Sequence, residues 1–432
     1  MTEQRTVTDT RDPDYGRLTD VSFERSRARV GVPIRLPNPP HNFEVSRDGI
    51  RHFAYGYGDD NPLYCDDEHA AASRWGGIIA PPAFLYTMGE DASPRPTPPE
   101  HKEVLRGDPF AGLGSYQAVM GFEWWRPLQL GDRLKCLRAQ VGVQDKRSDF
   151  GGRSAHVMHD FIYADQHDRL HAIRRGTWVN TERGASKERS EDRSDRHQLA
   201  EPYTSDQLAE IDAAYAAETR RGAEPRWFED VEVGDEVDRK VKGPLTTTDV
   251  VVWHLGWGMQ LTPPGSFRLA WKVRQKAPGL YPPNSLNVPD TVQRLHWEPE
   301  RARELGLPTS YDYGGLREAW LCHLVTDWMG DDAWLWKLEC QHRRFNFMGD
   351  ASWLTGEVTD KCQVDGPDGV RSEVHLDIRV TNQRGVVTSP GSAVVLLPSR
   401  EHGPVVLPHP PAESIEAMLE HEIDRLRDTA AG

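Results

Sequence analysis

Cysteine is scarce in this sequence and is never clustered. Five cysteines are spread over 432 residues, and none of them forms a Cys-x-x-Cys pair. A disulfide framework or a zinc ribbon needs paired or closely spaced cysteines, so neither is indicated. We expect buried thiols, and we expect neither a metal nor another cofactor. The cysteines are Cys65, Cys136, Cys322, Cys340 and Cys362.

Long apolar runs are also missing. No stretch of about 18 apolar residues is long enough to span a bilayer, and the segment Met1 to Arg29 is charged throughout, unlike a signal peptide. These features predict a cytoplasmic protein without membrane contact. A net charge of −15 argues against a nucleic-acid partner, although a local basic patch could still bind a polyanion such as coenzyme A.

The composition indicates a folded chain of more than one domain. Apolar residues make up 37% and charged residues 28%, which is too apolar for a disordered chain. A length of 432 residues exceeds the ~250–300 at which single cores stop growing. We predict an extended arm at 1–40, a first domain at 41–183, a charged linker with a connecting helix at 184–225, a second domain at 226–400, and a tail with a helix at 401–432.

The two predicted domains repeat one order of elements. In the first, helical segments after Asp67 and around Phe84 precede β-rich runs at 116–128, 134–143 and 155–180. In the second, a helix at 317–328 precedes strands at 334–347, 352–358, 373–381 and 391–397. The segments RPLQLGD (126–132) and RFNFMGD (344–350) each end in a Gly-Asp turn. Duplication of one α+β unit, a helix laid across an antiparallel sheet, accounts for this order.

The segment 53–85 of the first domain resembles the MaoC-like dehydratases. Their signature is Gly-Asp-x-Asn-Pro, then an acidic residue, a helix and Ala-Pro-Pro, and here Asp59, Asn61 and Pro62 stand in it. The hydratase form of this motif continues with a histidine, where this chain has Tyr64. The resemblance implies a tandem double hot-dog fold, each half an antiparallel sheet wrapped around a long central helix. It also implies that Asp59, Asn61 and Tyr64 lie on the substrate side.

The segment 290–308 of the second domain is similar to the mesaconyl-CoA hydratase and mitochondrial hydroxyacyl-thioester dehydratase branch of this superfamily. His296 stands at the place of the catalytic histidine, and Arg294 belongs to the same segment. Thr291 replaces the usual carboxylate partner of that histidine. In the following stretch, Gly314 takes the glycine place at the start of the central helix, and Tyr313 takes the place of a histidine. The resemblance implies that Arg294 and Tyr313 also lie on the substrate side.

Hydration of an enoyl thioester needs an acid and a base, and it needs donors for the negative charge that develops on the thioester oxygen. The N–H of Gly314 can be such a donor, because the first amides of a helix lack intrahelical acceptors. Pro81, at the equivalent place in the first half, has no N–H. We therefore predict that the second half holds the reaction centre, with His296 as acid and base. Glu298 and Asp290 are open alternatives for its carboxylate partner.

Each of these residues also has a structural interpretation. Asp59 and Asn61 have the character of turn and capping residues before Pro62, and a histidine in a tryptophan-rich segment is commonly structural. The function predicted is a hydro-lyase acting on an enoyl or 3-hydroxyacyl thioester of coenzyme A or acyl-carrier protein, with a homodimer as the expected assembly. A catalytically silent thioester-binding subunit and, less favoured, a thioesterase are the alternatives.

Overall fold

The structure is a computed structural model that describes residues 14–148, 152–182, 198–259 and 261–431. The predicted arm lies partly outside these ranges, at 1–13, and so does most of the predicted charged linker, at 183–197. Among the described residues, no helix is both long and apolar enough to cross a bilayer.

The described residues before 183, which are 14–148 and 152–182, form six strands and five α-helices. In chain order they are α1 (Asp20–Arg27), β1 (Pro33–Ile34), α2 (Arg47–Gly56), α3 (Pro62–Cys65), α4 (Asp67–Ala72), a 3-10 helix (Pro82–Thr87), β2 (Glu90–Asp91), α5 (Pro99–Val104), β3 (Gly114–Trp124), β4 (Leu134–Ser148), β5 (Gly152–Asp165) and β6 (Leu170–Thr181).

The described residues after 197 repeat this order. Their elements are α6 (Ser205–Ala216), a 3-10 helix (Phe228–Asp230), β7 (Glu236–Lys242), α7 (Thr247–Trp257), α8 (Arg268–Lys276), 3-10 helices at Pro278–Leu280 and Val292–His296, α9 (Pro299–Glu304), α10 (Gly314–Met329), β8 (Trp334–Gln341), β9 (Ser352–Gly366), β10 (Gly369–Asn382), β11 (Val387–Leu396) and α11 (Ile415–Ala431).

The strands of both halves form one sheet. Its order is β1-β4-β5-β6-β3-β8-β11-β10-β9-β7, and the short β2 pairs with β4. The halves meet where β3 pairs antiparallel with β8, placing Met120 opposite Cys340 and Phe122 opposite Leu338. Alternate residues of a strand point to opposite faces, so these apolar residues add to one continuous core. The predicted α+β fold, a tandem double hot-dog, is confirmed.

The helix lying across the sheet differs between the halves. In the second half, α10 is buried along almost its whole length, from Gly315 to Met329. The corresponding helix of the first half is only a 3-10 helix of six residues. Pro81 and Pro82 begin it without backbone N–H groups, and Gly89 follows with a φ of +110°, which favours glycine. The first half therefore has a short helix where the sequence predicted a long one.

The C-terminal helix α11 returns to the first half. Ile415, Met418 and Leu419 pack against apolar residues of β4 and β5. Glu422, which is fully buried, forms a two-point ion pair with Arg175 of β6, at 2.7 and 2.8 Å. The tail after residue 400 thus covers the outer face of the first-half sheet.

Candidate active site

His296 ends the 3-10 helix Val292–His296 and lies beside the segment that leads into α10. Its Nδ1 bonds to the carbonyl oxygen of Tyr311 at 3.0 Å, and its ring stacks on that of Tyr313 at 3.7 Å between centroids. Because Nδ1 donates to a carbonyl, the lone pair of the neutral imidazole is on Nε2. The arrangement therefore supplies an oriented base next to the start of α10.

A second histidine, His254 of α7, enters the same site. Its Nε2 lies 3.0 Å from the hydroxyl of Tyr313, and that hydroxyl lies 3.4 Å from Oε1 of Gln293. Gln293 in turn donates to Thr262 at 2.6 Å. No motif in the sequence marks His254, so sequence reasoning missed it, and Gln293, although it begins the motif segment that contains His296, was given no role. Tyr313, expected on the substrate side, is the residue that links the two histidines.

Burial controls the charge of both imidazoles. It lowers the pKa of His296 to about 4 and that of His254 to about 4. Desolvation penalises the charged form of histidine, so both rings are neutral near pH 7. A neutral imidazole can accept a proton, which a general base must do.

Gly314 begins α10, and its neighbours explain why this position is glycine. A Cβ at Gly314 would lie 3.0 Å from Nε2 of His342 and 3.3 Å from Nε2 of Gln117. His342 bonds to the buried carboxylate of Glu318 at 2.8 Å, and Gln117 and Tyr86 also donate to that carboxylate. This cluster joins both halves behind the N-terminus of α10, and sequence reasoning missed it.

The carboxylates considered as partners of His296 have other contacts. Glu298 lies 2.9 Å from Nε of Arg294, and Asp290 accepts from the backbone N–H of Thr291 at 2.7 Å. The acceptor at Nδ1 of His296 is a backbone carbonyl. Thr291, at the place of the family carboxylate, caps the 3-10 helix instead. The expectation that Glu298 or Asp290 orients His296 therefore has no contact to support it.

Arg294, expected on the substrate side, makes structural contacts. The fully buried guanidinium donates to the carbonyls of Pro282 and Pro283 at 2.9 and 2.8 Å. It holds the preceding loop in place, because a buried charge is stable only when its donors are satisfied.

Asp59 and Asn61 lie at the other end of α10 from His296. Asn61 caps α3 by accepting from the N–H of Leu63 at 3.0 Å. Asp59 accepts from the hydroxyl of Tyr57 at 2.8 Å and lies 3.6 Å from Nε2 of His323. His323 is nine residues beyond Gly314, so about 14 Å of helix separates this point from the start of α10. These two residues make the turn and capping contacts of the structural interpretation.

Asp59, His323 and Asp327 are close enough together to be considered as a metal site. However, Nζ of Lys240 lies 2.6 Å from Asp327, and Nζ of Lys242 lies 3.0 Å from Nδ1 of His323. These two amines already serve the polar groups of the cluster, so the ligand set fits an internal ion-pair network better than a cation.

Tyr64 borders an apolar pocket between the first half and the C-terminal part of α10. Thr326 and Met329 of α10 close one side of it. Most of the other lining residues are apolar and include Leu63, Trp75, Trp124, Leu128, Ala333 and Trp334, while Arg126 and Asp331 add two charged groups. Pro81 and Pro82 also line the pocket. It is therefore the first-half counterpart of the His296 site. Tyr64 takes the place of the histidine, and Pro81 and Pro82 stand at the start of the helix.

Comparison with known proteins places the first half in a family. Residues 30–172 match the FAS1-like dehydratase domain region. The UPF0336 protein of Saccharopolyspora erythraea is 35% identical over 116 residues, which is 26% of this chain and 67% of that protein. The counterpart from Thermobifida fusca is 33% identical over 114 residues, again 26% and 67%. The chain spans 60% of the Streptomyces avermitilis relative, at 37% identity over 99 residues, 22% of this chain.

A solved structure extends the likeness to both halves. It is described as a MaoC-like dehydratase, and it superposes with a TM-score of 0.55 over 85% of this chain and 98% of its own length. The sequence identity of 18% makes this a likeness of fold. The family relationship rests on two other findings. Residues 30–172 match the dehydratase region, and two UPF0336 relatives are matched over 67% of their length. The chain therefore belongs to the UPF0336 family, and its residues 30–172 form a FAS1-like dehydratase region.

Proposed function

We propose that this protein is a hydro-lyase that adds water to a 2-enoyl thioester or removes it from a 3-hydroxyacyl thioester. One observation carries the proposal: His296 has a fixed tautomer with its lone pair on Nε2, and it stacks on Tyr313, the residue before the α10 N-terminus. The match of residues 30–172 to a dehydratase region and the fold shared with a MaoC-like dehydratase support the same reaction class.

The hydration step follows from these groups. Nε2 of His296 takes a proton from water while the water oxygen bonds to the β carbon. The electron pair of the double bond moves toward the thioester carbonyl, and the Gly314 N–H donates to the oxygen that becomes negative. Tyr313, hydrogen-bonded to His254, supplies a proton to the α carbon, and the proton that His296 took from water then restores the Tyr313 hydroxyl, so that both groups return to their starting state. In this scheme the Tyr313–His254 pair replaces the carboxylate that Thr291 lacks.

The first half has a binding role in this proposal. Its pocket beside Tyr64 is apolar, and α10 borders it with its C-terminal part. An acyl chain whose thioester lies at Gly314 would run along α10 toward this pocket, since apolar pockets bury most of an apolar ligand.

The decisive experiment is turnover of a panel of trans-2-enoyl and 3-hydroxyacyl thioesters of several chain lengths, followed by loss and gain of the enoyl absorbance. His296→Ala is the matched inactive control. We expect reversible hydration by the parental protein only. Saturable thioester binding without turnover would instead favour the silent binding subunit. The first-half pocket already has this character, because it has a tyrosine in place of the histidine and prolines in place of backbone donors. Release of free thiol would identify a thioesterase.

A further inference from the structure

Acidic residues are absent from a long stretch beside the proposed active site. Between Asp249 and Asp290 the chain has no Asp or Glu, although the whole protein carries 67 of them and a net charge of −15. The charged side chains within this stretch are Arg268, Lys272, Arg274 and Lys276, all on α8. The stretch is therefore a local positive surface on an acidic protein.

The same stretch exposes large apolar side chains. Phe267 is 91% exposed and Leu286 is 79% exposed, and α8 buries none of its residues. Together with the exposed Leu261, Leu269, Trp271 and Val288 they form, with the four cations, what we call the α8 patch. Apolar groups concentrated in this way on a soluble protein mark an interaction site.

Both ends of the α8 patch are fastened to the candidate site. Thr262 accepts from Gln293 at 2.6 Å and lies 3.2 Å from the hydroxyl of Thr291. At the other end, Arg294 binds the carbonyls of Pro282 and Pro283. A partner seated on α8 would therefore rest against the segment that carries His296.

We propose that the α8 patch docks an acidic acyl-carrier protein, which presents the thioester to His296 on its phosphopantetheine arm. The proposal rests on the proposed function and names the handle of its substrate. A carrier protein matches both the charged and the apolar side chains of the patch, because its acidic surface complements the cations and its body covers the apolar side chains. The phosphates of free coenzyme A would use the cations alone. Complementary charge of this kind mainly speeds encounter and selects the partner.

The first test reverses three exposed charges on α8, as Arg268→Glu, Lys272→Glu and Lys276→Glu in one protein. The matched control reverses three exposed cations of the first half, Lys102, Arg106 and Arg147, to Glu. Rates are measured with one enoyl group carried on acyl-carrier protein, on coenzyme A and on pantetheine. We expect the α8 variant to raise KM about tenfold or more for the carrier-bound substrate only, and the control variant to leave all three unchanged.

A binding measurement separates this proposal from the proposed function. Fluorescence anisotropy of labelled holo-acyl-carrier protein reports docking even if no thioester is turned over. We expect binding that weakens with salt and with the charge reversals, and that also weakens in Phe267→Ser/Leu286→Ser, which keeps every charge. Thermal melts test whether each variant is folded. We expect all of them to be folded, because the substituted side chains are exposed.

Three outcomes would overturn the docking proposal. One is an equal rise of KM for the carrier-bound and coenzyme A substrates, which would assign the cations to coenzyme A phosphates. Another is unchanged carrier binding in both α8 variants. The third is co-sedimentation with anionic phospholipid vesicles that the charge reversals abolish without any carrier binding, which would make the α8 patch a membrane contact.

Discussion

His296 is the residue on which the proposed chemistry depends most directly. We expect His296→Ala to lower the hydration rate by about 10²–10⁴-fold, the usual contribution of a general acid or base. Tyr64→Phe, the matching change in the first half, should keep most of the activity, because Tyr64 lines the apolar pocket. Initial rates with one enoyl thioester measure both variants. Equal tolerance of the two substitutions would argue for the silent binding subunit.

His254 tests whether a second imidazole has replaced the missing carboxylate. Its Nε2 contacts the Tyr313 hydroxyl at 3.0 Å, so His254→Phe removes that contact while keeping a ring of similar size. We expect a fall in kcat of about 10²-fold or more. Tyr313→Phe should cost a comparable amount, and the double variant little more than either one, since the two groups act as a unit. Additive losses would mean that they act separately.

Gly314 tests the position of the thioester carbonyl. Gly314→Pro deletes the backbone donor and should reduce turnover about 10²–10³-fold, while proline is tolerated in the first turn of a helix. Alanine at this position would keep the backbone donor, but its methyl group would lie 3.0 Å from Nε2 of His342. Gly315→Ala is the better control, because its methyl group makes an ordinary contact with Tyr86 at 3.5 Å. A folded Gly314→Pro protein with parental turnover would place the carbonyl elsewhere.

At the scale of elements, α11 shows how far the second half supports the first. Glu422 on α11 is fully buried and binds Arg175 through both carboxylate oxygens. Glu422→Gln removes the charge from this pair and leaves Arg175 with Glu123, at 3.1 Å, as its charged partner, so it should lower the free energy of unfolding by about 2 kcal/mol. Asp424→Asn, an exposed change on the same helix, should stay within about 0.5 kcal/mol. Urea unfolding of both variants makes the comparison, and equal stability would show that the ion pair does not anchor α11.

The α10 helix and its shorter counterpart explain why the halves differ in role. Both lie across one sheet, yet only α10 begins with a residue that has a free backbone N–H to offer. The first half begins its helix at Pro82, after Pro81, and offers apolar pocket walls instead. In the proposed mechanism, one duplicated plan therefore supports a reaction centre in one half and a binding pocket in the other.

At the scale of the whole molecule, a buried polar network joins the halves. Lys242 of β7 donates to the backbone carbonyls of Tyr57 and Gly58 in the first half, at 3.2 and 3.1 Å. Burial lowers the pKa of Lys242 to about 8, from an ordinary value of 10.5. Below pH 8 this amine is charged in both the folded and unfolded states, and between pH 8 and 10.5 only the unfolded state holds the proton.

This difference predicts a pH-dependent stability. Burying the charged amine of Lys242 on folding carries a desolvation cost, and this cost is relieved as the pH rises through 8. The contribution of Lys242 to the free energy of unfolding therefore increases between pH 8 and about 10. Relative to that of Lys242→Met, the free energy of unfolding of the parental protein should rise by up to about 1.4 kcal/mol per pH unit between pH 8 and 10. Urea unfolding at pH 7, 8, 9 and 10 measures it, with Lys272→Met on exposed α8 as control. A constant difference would contradict the lowered pKa.

The sequence by itself determined the duplicated α+β plan, the family and the segments in which the candidate residues lie. These features depend on local information: apolar periodicity, Gly-Asp turns, and short motifs such as Asp59-x-Asn61-Pro62. The burial of α10 and the positions of the second-half strands follow from the same periodicities. They were predictable because each is fixed by residues close together along the chain.

Only the tertiary structure decided which groups meet. His254 and Tyr313 are 59 residues apart, Gln117 and Glu318 are 201 apart, and Arg175 and Glu422 are 247 apart. No local pattern specifies such pairs, because they form when whole helices and strands dock and every buried polar group must find a partner. For the same reason Glu298 pairs with the buried Arg294, and the backbone carbonyl of Tyr311 is the group that orients His296.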